Sequence, residues 1–402
     1  MCLMKFTTAS GQLVELPHRS IGRGGEGEVL PVAGNPALVA KIFHQPTLNH
    51  RSKLEFMIAN PLQPSGDHFW VTWPLDILFT REVRPKFAGY IMHKIKNARP
   101  LFICYNPAKR RKQCLGIDYR HLVRSGQNLA AAFNQAHLRR YLIGDPNESN
   151  VFVRDDACVI LIDADSWQIA CNGRIFRSLV AKSDFLPPEL QNRNLKNLDR
   201  QPWHDNFALA VLLFKIIGEG SHPFDGVYHG SGDEPPLEAR IAAGAFPYRD
   251  TSGRWSPKGV ALPFDSLHHR LRNLFDQAFV AGHSRPQSRP DASAWQMAFS
   301  MAERELQRCR LNSKHWFWGK HCVWCQRKKL LGGLDQFPDR MPTPDKKINT
   351  STYSTPPSVL ICRPSSKPVS TPASWLTDLH LIGVRARRVI EDTFDSIAKK
   401  IS

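Results

Sequence analysis

The hydrophobic pattern of the chain has the period of strands from about residue 12 to 95 and the period of helices from about residue 117 onward. In the N-terminal part, runs of β-branched and aromatic residues alternate with turn signals, and one helical stretch interrupts them at 49–58. These runs predict strands at 13–21, 28–32, 37–43, 69–78 and 88–95. Behind them, the spacing predicts helices at 129–142, 206–217, 237–243, 267–278 and 292–306, with short strands at 151–153 and 159–162. We therefore expect an α+β chain in which a small antiparallel sheet precedes a mostly helical part.

The end of the chain has a different composition. From residue 339 to 374, Pro, Ser and Thr predominate and the aliphatic periodicity of the preceding part is lost. Such a composition predicts a disordered linker. Residues 375–402 regain helical spacing, so we expect one amphipathic helix after the linker.

Charge, apolar runs and cysteine count limit the class of protein. Lys and Arg number 54 against 36 Asp and Glu, and the formal net charge of +18 favours anionic partners. The longest apolar stretch, 207–217, is about half as long as a bilayer requires, so we expect no membrane span. The first residues lack the layout of a secretory signal, and an odd count of nine cysteines is typical of reduced thiols. We expect a cytoplasmic protein.

A glycine-rich motif lies at 22–29, with the sequence GRGGEGEV. Gly22, Gly24 and Gly27 have G-x-G-x-x-G spacing, which lets backbone amides approach phosphate oxygens without a Cβ in the way. A dinucleotide-binding fold would start a helix here, but this sequence continues as a strand and places Lys41 on the next strand. The pattern predicts a strand-turn-strand flap over phosphates that Lys41 could reach. The alternative is a flexible hairpin followed by a surface lysine.

A second motif contains ordered polar side chains. In GDPNESN at 144–150, four residues separate Asp145 from Asn150, and Asp163-Ala164-Asp165 follows after a short predicted hairpin. This order resembles the catalytic loop and the Asp-Phe-Gly segment of protein kinases. From about residue 15 to 305, the chain is similar to the bacterial Hanks-type (eukaryotic-like) serine/threonine protein kinases.

The resemblance implies a two-lobed kinase over 12–305, with a β-sheet N-lobe at 12–98 and a helical C-lobe at 99–305. It implies transfer of the γ-phosphate of Mg-ATP to a serine or threonine of a protein in signalling. Asp145 would accept the hydroxyl proton, while Asn150 and Asp163 would hold Mg²⁺ or Mn²⁺. The implied ATP-binding residues are Gly22, Gly24, Gly25, Gly27, Val29, Ala40, Lys41 and Glu55. Glu55 would hold Lys41 in place, and a solvated Glu55 is the alternative.

Further landmarks of the family concern structural support. Pro187-Pro188-Glu189 resembles the Ala-Pro-Glu that ends the activation segment, and Arg289 resembles the arginine that pairs with this glutamate. Asp205 resembles the aspartate near the start of the large-lobe helix. We expect these residues to hold the substrate platform rigid.

The chain also departs from the family pattern. Ile143 and Gly144 replace the histidine and arginine before the catalytic aspartate, and Asn147 replaces the lysine that contacts the transferred phosphate. Asp165 replaces the glycine of Asp-Phe-Gly. These departures leave two alternative functions open: a pseudokinase that acts as a nucleotide-binding scaffold, and a kinase of small molecules.

A Cys/His segment at 306–338 has the spacing of a metal site. Cys309, His315 and the pair Cys322 and Cys325 supply four ligands that suit tetrahedral Zn²⁺. The arrangement resembles a small zinc-ribbon element and predicts a structural zinc ion. His321 competes with His315 for the fourth position, and reduced core thiols are the alternative.

The basic run at 109–112 is either a solvated surface or a docking site for an acidic protein substrate. Exposed aromatic residues are not interleaved with it, so nucleic acid is a less favoured partner. Bacterial relatives of this kind often act with a partner phosphatase, and we expect a cognate protein phosphatase as a further partner.

Overall fold

The computed structural model describes residues 3–62, 70–114, 116–171 and 173–339. Apart from residue 339, the linker expected at 339–374 and the helix expected at 375–402 lie outside the described residues. Among the described residues, none of the helices is both long and apolar enough to cross a membrane.

A seven-stranded antiparallel sheet forms the N-terminal part of the chain. Its strands are β1 Leu3–Thr8, β2 Leu13–Pro17, β3 Gly22–Arg23, β4 Gly27–Val32, β5 Asn35–Phe43, β6 Pro74–Thr80 and β7 Phe87–His93. They lie in the order β2-β1-β6-β7-β5-β4-β3. Strand β1 was not among the expected strands, and it pairs with both β2 and β6.

Helix α1, Leu48–Ala59, follows β5 and begins at the N-cap Thr47, whose side chain accepts a hydrogen bond from the His50 amide. It buries Lys53, Leu54 and Met57.

The back of the chain is mostly helical. Its helices are α2 Leu101–Tyr105, α3 Pro107–Gln113, α4 Tyr119–Leu138, α5 Pro202–Ile217, α6 Leu237–Ala242, α7 His269–Asp276, α8 Gly282–Ser284, α9 Ala292–Arg304 and α10 Val323–Leu330. Its short strands are β8 Ala98–Pro100, β9 Val151–Arg154, β10 Val159–Leu161, β11 Ile169–Cys171, β12 Arg174–Phe176, β13 Val227–Tyr228, β14 Trp255–Ser256, β15 Gln307–Arg308 and β16 Trp316–Phe317. Sheet and helices thus have the mixed content expected from the sequence.

Helix α4 begins ten residues earlier than expected, at Tyr119 instead of 129. Its N-cap is Asp118, whose carboxylate accepts a hydrogen bond from the His121 amide at 2.8 Å. The first half of α4 has a polar sequence, yet Gln127 and Asn128 are buried there. Tertiary packing therefore extends the helix beyond its apolar stretch.

The Cys/His segment shares the hydrophobic core of the helical part. Trp318 donates its indole N–H to the Ala302 carbonyl at 2.7 Å, and the rings of Trp324 and Tyr119 lie 4.6 Å apart. The Arg327 guanidinium bonds to the Glu219 carboxylate at 2.9 Å. Folding of this segment and of the helical part should consequently be coupled.

Candidate functional site

Lys41 lies at the centre of a buried polar cluster. It is on β5, 7% exposed, and its Nζ donates to Asp163 Oδ1 at 2.5 Å. The same ammonium donates to both carboxylate oxygens of Asp165, at 2.9 and 2.7 Å. Residues from the front sheet and from the loop after β10 therefore meet at one point, although they are 122 and 124 positions apart in the sequence.

Two further buried side chains hold Asp165. The Tyr90 hydroxyl donates to Asp165 Oδ1 at 2.8 Å, and Tyr90 lies directly opposite Lys41 in the register of β5 and β7. The Lys53 ammonium, from α1, donates to the Asp165 carbonyl at 2.5 Å and also to the Trp167 carbonyl. Asp165 is thus held through both its side chain and its backbone.

The pKa values in this cluster follow from burial and from neighbouring charge. Burial opposes ionisation of both Lys41 and Asp165, but their mutual attraction outweighs it, so the pKa of Lys41 is raised and the pKa of Asp165 is lowered. Burial and the negative charge of Asp165 raise the pKa of Asp163. Lys53 has only carbonyl partners here, and burial lowers its pKa to about 8.

The expectation that Glu55 holds Lys41 is corrected by the structure. The Glu55 side chain is 47% exposed and accepts a hydrogen bond from Arg51, one turn earlier on α1, at 2.8 Å. Lys53 is the residue that α1 directs into the cluster. The carboxylate beside Lys41 comes instead from Asp165, on the same loop as Asp163.

The glycine-rich motif forms the hairpin of β3 and β4. Gly22 pairs with Val29, and the Gly24 amide donates to the Gly27 carbonyl at 2.9 Å across the turn. A Cβ on Gly27 would lie 2.4 Å from the Ile42 carbonyl oxygen, so only glycine lets β5 approach this closely. Around Gly25 a Cβ would meet no heavy atom within 4 Å, and the turn is open.

Val29 and Ala40 differ in their relation to Lys41. Val29 pairs directly with Lys41 across β4 and β5, which places both on the same face of the sheet. Ala40 precedes Lys41 by one position, so its side chain points to the opposite face. It is fully buried there in a small core with Leu30 and Leu78. Ala40 therefore lies on the face opposite the one expected for an ATP-binding residue beside Lys41, and Val39 shares the face of Lys41.

The loop at 144–150 is joined by a backbone hydrogen bond to the residue before Asp163. The Asn150 amide nitrogen donates to the Asp145 carbonyl at 3.1 Å, which leaves the amide oxygen as an acceptor. The Ile162 amide donates to the Asn150 carbonyl at 3.0 Å, immediately before Asp163. The backbone therefore holds the candidate metal ligands Asn150 and Asp163 side by side.

Asp205 fixes the start of this loop. It is 1% exposed on α5, and its carboxylate accepts hydrogen bonds from the amides of Ile143 and Gly144 at 2.7 and 3.0 Å. Gly144 has a φ of +73°, and a Cβ there would lie 2.4 Å from Ser178. The glycine is needed both for the backbone angle and for the close approach of Ser178.

Asp145 lies among cationic groups. Its Oδ1 accepts a hydrogen bond from the Lys182 amide at 3.1 Å. Arg200 is 2% exposed, and its Nε and Nη2 have no hydrogen-bond partner within the described part of the chain. Burial nevertheless dominates and raises the pKa of Asp145, although Lys182 and Arg200 oppose this rise. A raised pKa makes the carboxylate a better proton acceptor.

The expected structural ion pair is present. Arg289 donates through two nitrogens to the two oxygens of Glu189, at 2.6 and 2.7 Å, and the Arg289 side chain is fully buried. This bidentate geometry links the segment around 189 to the segment before α9. It joins two segments that are 100 positions apart in the sequence.

The basic run at 109–112 is only in part a surface. Arg110 is 2% exposed and donates to Glu219 Oε1 at 2.7 Å, while Arg111 bonds to the side chain of Gln336. Lys109 and Lys112 remain exposed. Half of the run therefore supports the contact between α3 and the end of the Cys/His segment.

The Cys/His cluster gathers four potential ligand atoms. Cys309 Sγ lies 3.6 Å from Cys325 Sγ, and His315 Nδ1 lies 3.7 Å from Cys322 Sγ and 3.5 Å from Cys325 Sγ. Nitrogen and sulfur ligands of a tetrahedral zinc ion are separated by about 3.5 to 3.8 Å. The other ring nitrogen, Nε2, donates to Asp335 Oδ1 at 2.8 Å, which orients the imidazole. The donor set fits zinc, and His315 takes the position for which His321 competed.

Sequence reasoning missed Tyr90, Lys53 and Lys182 as parts of the site. Tyr90 could have been found from strand register, because it lies opposite Lys41. Lys53 gave a weak signal as a lysine at an otherwise apolar helix position. Lys182 gave none, because its position depends on the path of an irregular segment.

Two proteins from Escherichia coli are similar to the chain. Protein kinase YegI of Escherichia coli O157:H7 is 33% identical over 324 residues, which cover 79% of this chain and 49% of that protein. Protein kinase YegI of strain K12 is 32% identical over 329 residues, which cover 80% of this chain and 50% of that protein. The chain spans about half the length of these curated relatives. No protein-family model matches it.

Both relatives are named as protein kinases, and the match extends over four fifths of the chain. The region described here contains the glycine hairpin, Lys41 and the 144–163 segment that resemble protein kinases. The comparison therefore supports the resemblance to bacterial protein kinases that these residues indicate.

Proposed function

We propose that the chain is an ATP-dependent serine/threonine protein kinase that transfers the γ-phosphate of Mg-ATP to a protein hydroxyl in signalling. The β-sheet part would be the N-lobe and the helical part the C-lobe of a Hanks-type fold. The observation that carries the proposal is the 2.5 Å contact between Lys41 Nζ and Asp163 Oδ1. A cation for phosphates and a ligand for metal thus lie together beneath a glycine hairpin.

In this proposal, the open turn around Gly24 and Gly25 covers the phosphates with backbone amides. Lys41 contacts phosphate oxygens and keeps Asp165 as its counterion. Asp165 can do this because Tyr90 and Lys53 hold it in place. The counterion of Lys41 then comes from the loop that carries Asp163. Lys53, and not a glutamate, would connect α1 to the site.

Asn150 and Asp163 would hold the divalent cation. The Asn150 amide donates through its nitrogen and can offer its oxygen, and Asp163 binds Lys41 through Oδ1 and can offer Oδ2. Bound Mg²⁺ would neutralise charge on the phosphates and orient them. Asp145 would accept the proton of the attacking hydroxyl, and its raised pKa suits that role. The rate gain would come from positioning and from charge stabilisation.

Transfer of label from γ-³²P-ATP to a generic protein acceptor tests this proposal. We expect wild type to label serine or threonine, and Asp163→Ala to reduce labelling by about a thousandfold because a metal ligand is lost. Asp233→Ala, at an exposed position, is the matched control. Nucleotide binding without transfer by wild type would favour a scaffold, and labelling of small molecules alone would favour a metabolite kinase.

We also propose that the Cys/His cluster holds a structural zinc ion. The separations of Cys309, His315, Cys322 and Cys325 support this, as does the Asp335 carboxylate behind His315. Because the segment shares the core of the helical part, the ion would stabilise that part and not take part in phosphoryl transfer. Elemental analysis of chelator-free protein should give one zinc per chain, and less than about half an equivalent would contradict the proposal.

A further inference from the structure

Lys182 reaches the 144–150 loop from the irregular segment before Glu189. Its amide donates to Asp145 Oδ1 at 3.1 Å, and its ammonium donates to Ser149 Oγ at 2.7 Å. These two contacts hold an exposed cation beside the candidate base. The hydrogen-bond partner of the ammonium is neutral, and among the described residues Lys182 forms no direct ion pair, although the charges of Asp145 and Glu148 lie near enough to interact with it.

The loop itself offers no cation for a transferring phosphoryl group. The sequence DPNESN at 145–150 contains neither lysine nor arginine. Asn147 is 1% exposed, and its amide is used within the loop, where it accepts from the Ser149 amide at 2.9 Å and donates to the Asp145 carbonyl at 3.2 Å. Glu148 is neutralised by Lys215. Lys41 is already bound by Asp163 and Asp165, and Lys53 by the carbonyls of Asp165 and Trp167.

Phosphoryl transfer needs positive charge near the three non-bridging oxygens of the phosphoryl group that is being transferred. In the step, the acceptor oxygen forms a bond to the γ-phosphorus while the bond from phosphorus to the bridging β–γ oxygen breaks. The hydroxyl proton passes to Asp145, and ADP leaves with the electron pair of the broken bond. A cationic side chain next to Asp145 would stabilise this charge without taking part in the proton transfer.

We propose that Lys182 is a catalytic residue whose ammonium contacts the transferring phosphoryl group. This inference rests on the proposed kinase function. An ammonium has three N–H donors, and only one is used on Ser149 in the structure, so two remain for phosphoryl oxygens. The hydrogen bond from the Lys182 backbone amide to Asp145 keeps the lysine beside the candidate base.

The test compares steady-state transfer by the full chain with Lys182→Ala, Lys182→Arg and the exposed control Lys196→Ala. We expect Lys182→Ala to lower kcat by about a hundredfold with the KM for ATP changed less than about threefold, because the contact is made mainly in the transition state. Lys182→Arg should recover at least about tenfold of this loss, since it keeps the charge. Lys196→Ala should behave as wild type.

A kcat within about threefold of wild type in Lys182→Ala would overturn this inference and leave the kinase proposal intact. So would a loss that arginine does not rescue and that accompanies a lower melting temperature, because this would show a structural role. Absence of transfer by wild type itself would overturn the kinase proposal together with the inference.

Discussion

The Lys41 cluster and the Cys/His cluster differ in how their charges are balanced. At Lys41, the cation is part of the protein and already lies between the carboxylates of Asp163 and Asp165. In the Cys/His cluster, three sulfurs and one imidazole nitrogen lie within 4.8 Å of one another. The first cluster is complete without a ligand, whereas the second gathers donors whose natural partner is a metal ion.

This difference separates two kinds of role. A site that is complete in itself can release one contact, such as Lys41 to Asp163, when a nucleotide enters, and can restore it afterwards. A site that needs its ion to satisfy its donors belongs to the folded structure. We therefore expect changes at the zinc ligands to affect mainly stability, and changes around Lys41 to affect transfer more directly.

The largest effect is expected from Cys322→Ser. Loss of one zinc ligand should lower the free energy of unfolding by about 4 kcal/mol, because the ion would stabilise a segment that shares the core of the helical part. Chelation should destabilise wild type in the same way and have little further effect on the variant. Cys171→Ser, a half-buried thiol on β11, is the control. A melting temperature that chelation leaves unchanged would contradict the metal assignment.

A smaller effect is expected at the self-contained cluster. Lys41→Met should cost about 3 kcal/mol of stability, since it leaves the buried Asp165 carboxylate without its cation. The double variant Lys41→Met/Asp165→Asn should be more stable than Lys41→Met alone, because the stranded charge is gone. Urea denaturation of the two single variants and of the double variant measures this coupling. If the losses of stability in the single variants add up in the double variant, Lys41 and Asp165 do not form a coupled ion pair.

The smallest effect concerns Lys53, the cation of this cluster that has carbonyl partners. Its pKa falls to about 8 on folding from 10.5, so above about pH 8 the unfolded chain binds more protons than the folded chain. Stability should therefore rise with pH, by about 1 kcal/mol per pH unit near pH 9, and Lys53→Met should remove this rise.

Urea denaturation of wild type and Lys53→Met between about pH 8 and 9.5 measures the difference. The range ends below the ordinary pKa of tyrosine, because the raised pKa of Tyr90 adds a slope of opposite sign above it. If the free energy of unfolding depends on pH in the same way in the two proteins, Lys53 does not have the lowered pKa on which this prediction rests.

Features that depend on local pattern could be predicted from the sequence. The glycine motif indicated a hairpin, the spacing of Asp145, Asn150 and Asp163 indicated one loop and one following turn, and the Cys-x2-Cys pair indicated a metal cluster. In each case the residues are close in the chain or their order is diagnostic. The structure forms the glycine hairpin and gathers the four Cys/His side chains, and it pairs the backbone of Asn150 with that of Ile162, next to Asp163.

Features that depend on tertiary packing could not be predicted. Ala40 was named as an ATP-binding residue, but its side chain lies on the face of β5 opposite Lys41, because a one-position offset in a strand reverses the direction of a side chain. Glu55 was chosen as the only acidic residue of its segment, but the carboxylate beside Lys41 comes from Asp165, more than a hundred positions away. The position of Lys182 depends on an irregular segment for which periodicity gives no signal.

The most direct test of the account is the position of a divalent cation bound with nucleotide. Crystals grown with Mn²⁺ and a non-hydrolysable ATP analogue would locate the ion by its anomalous scattering. We predict an ion between about 2.0 and 2.6 Å from a carboxylate oxygen of Asp163 and from the amide oxygen of Asn150, with the Lys41 to Asp165 pair intact. An ion distant from both residues, or a nucleotide outside the space between the glycine hairpin and Lys41, would contradict the account.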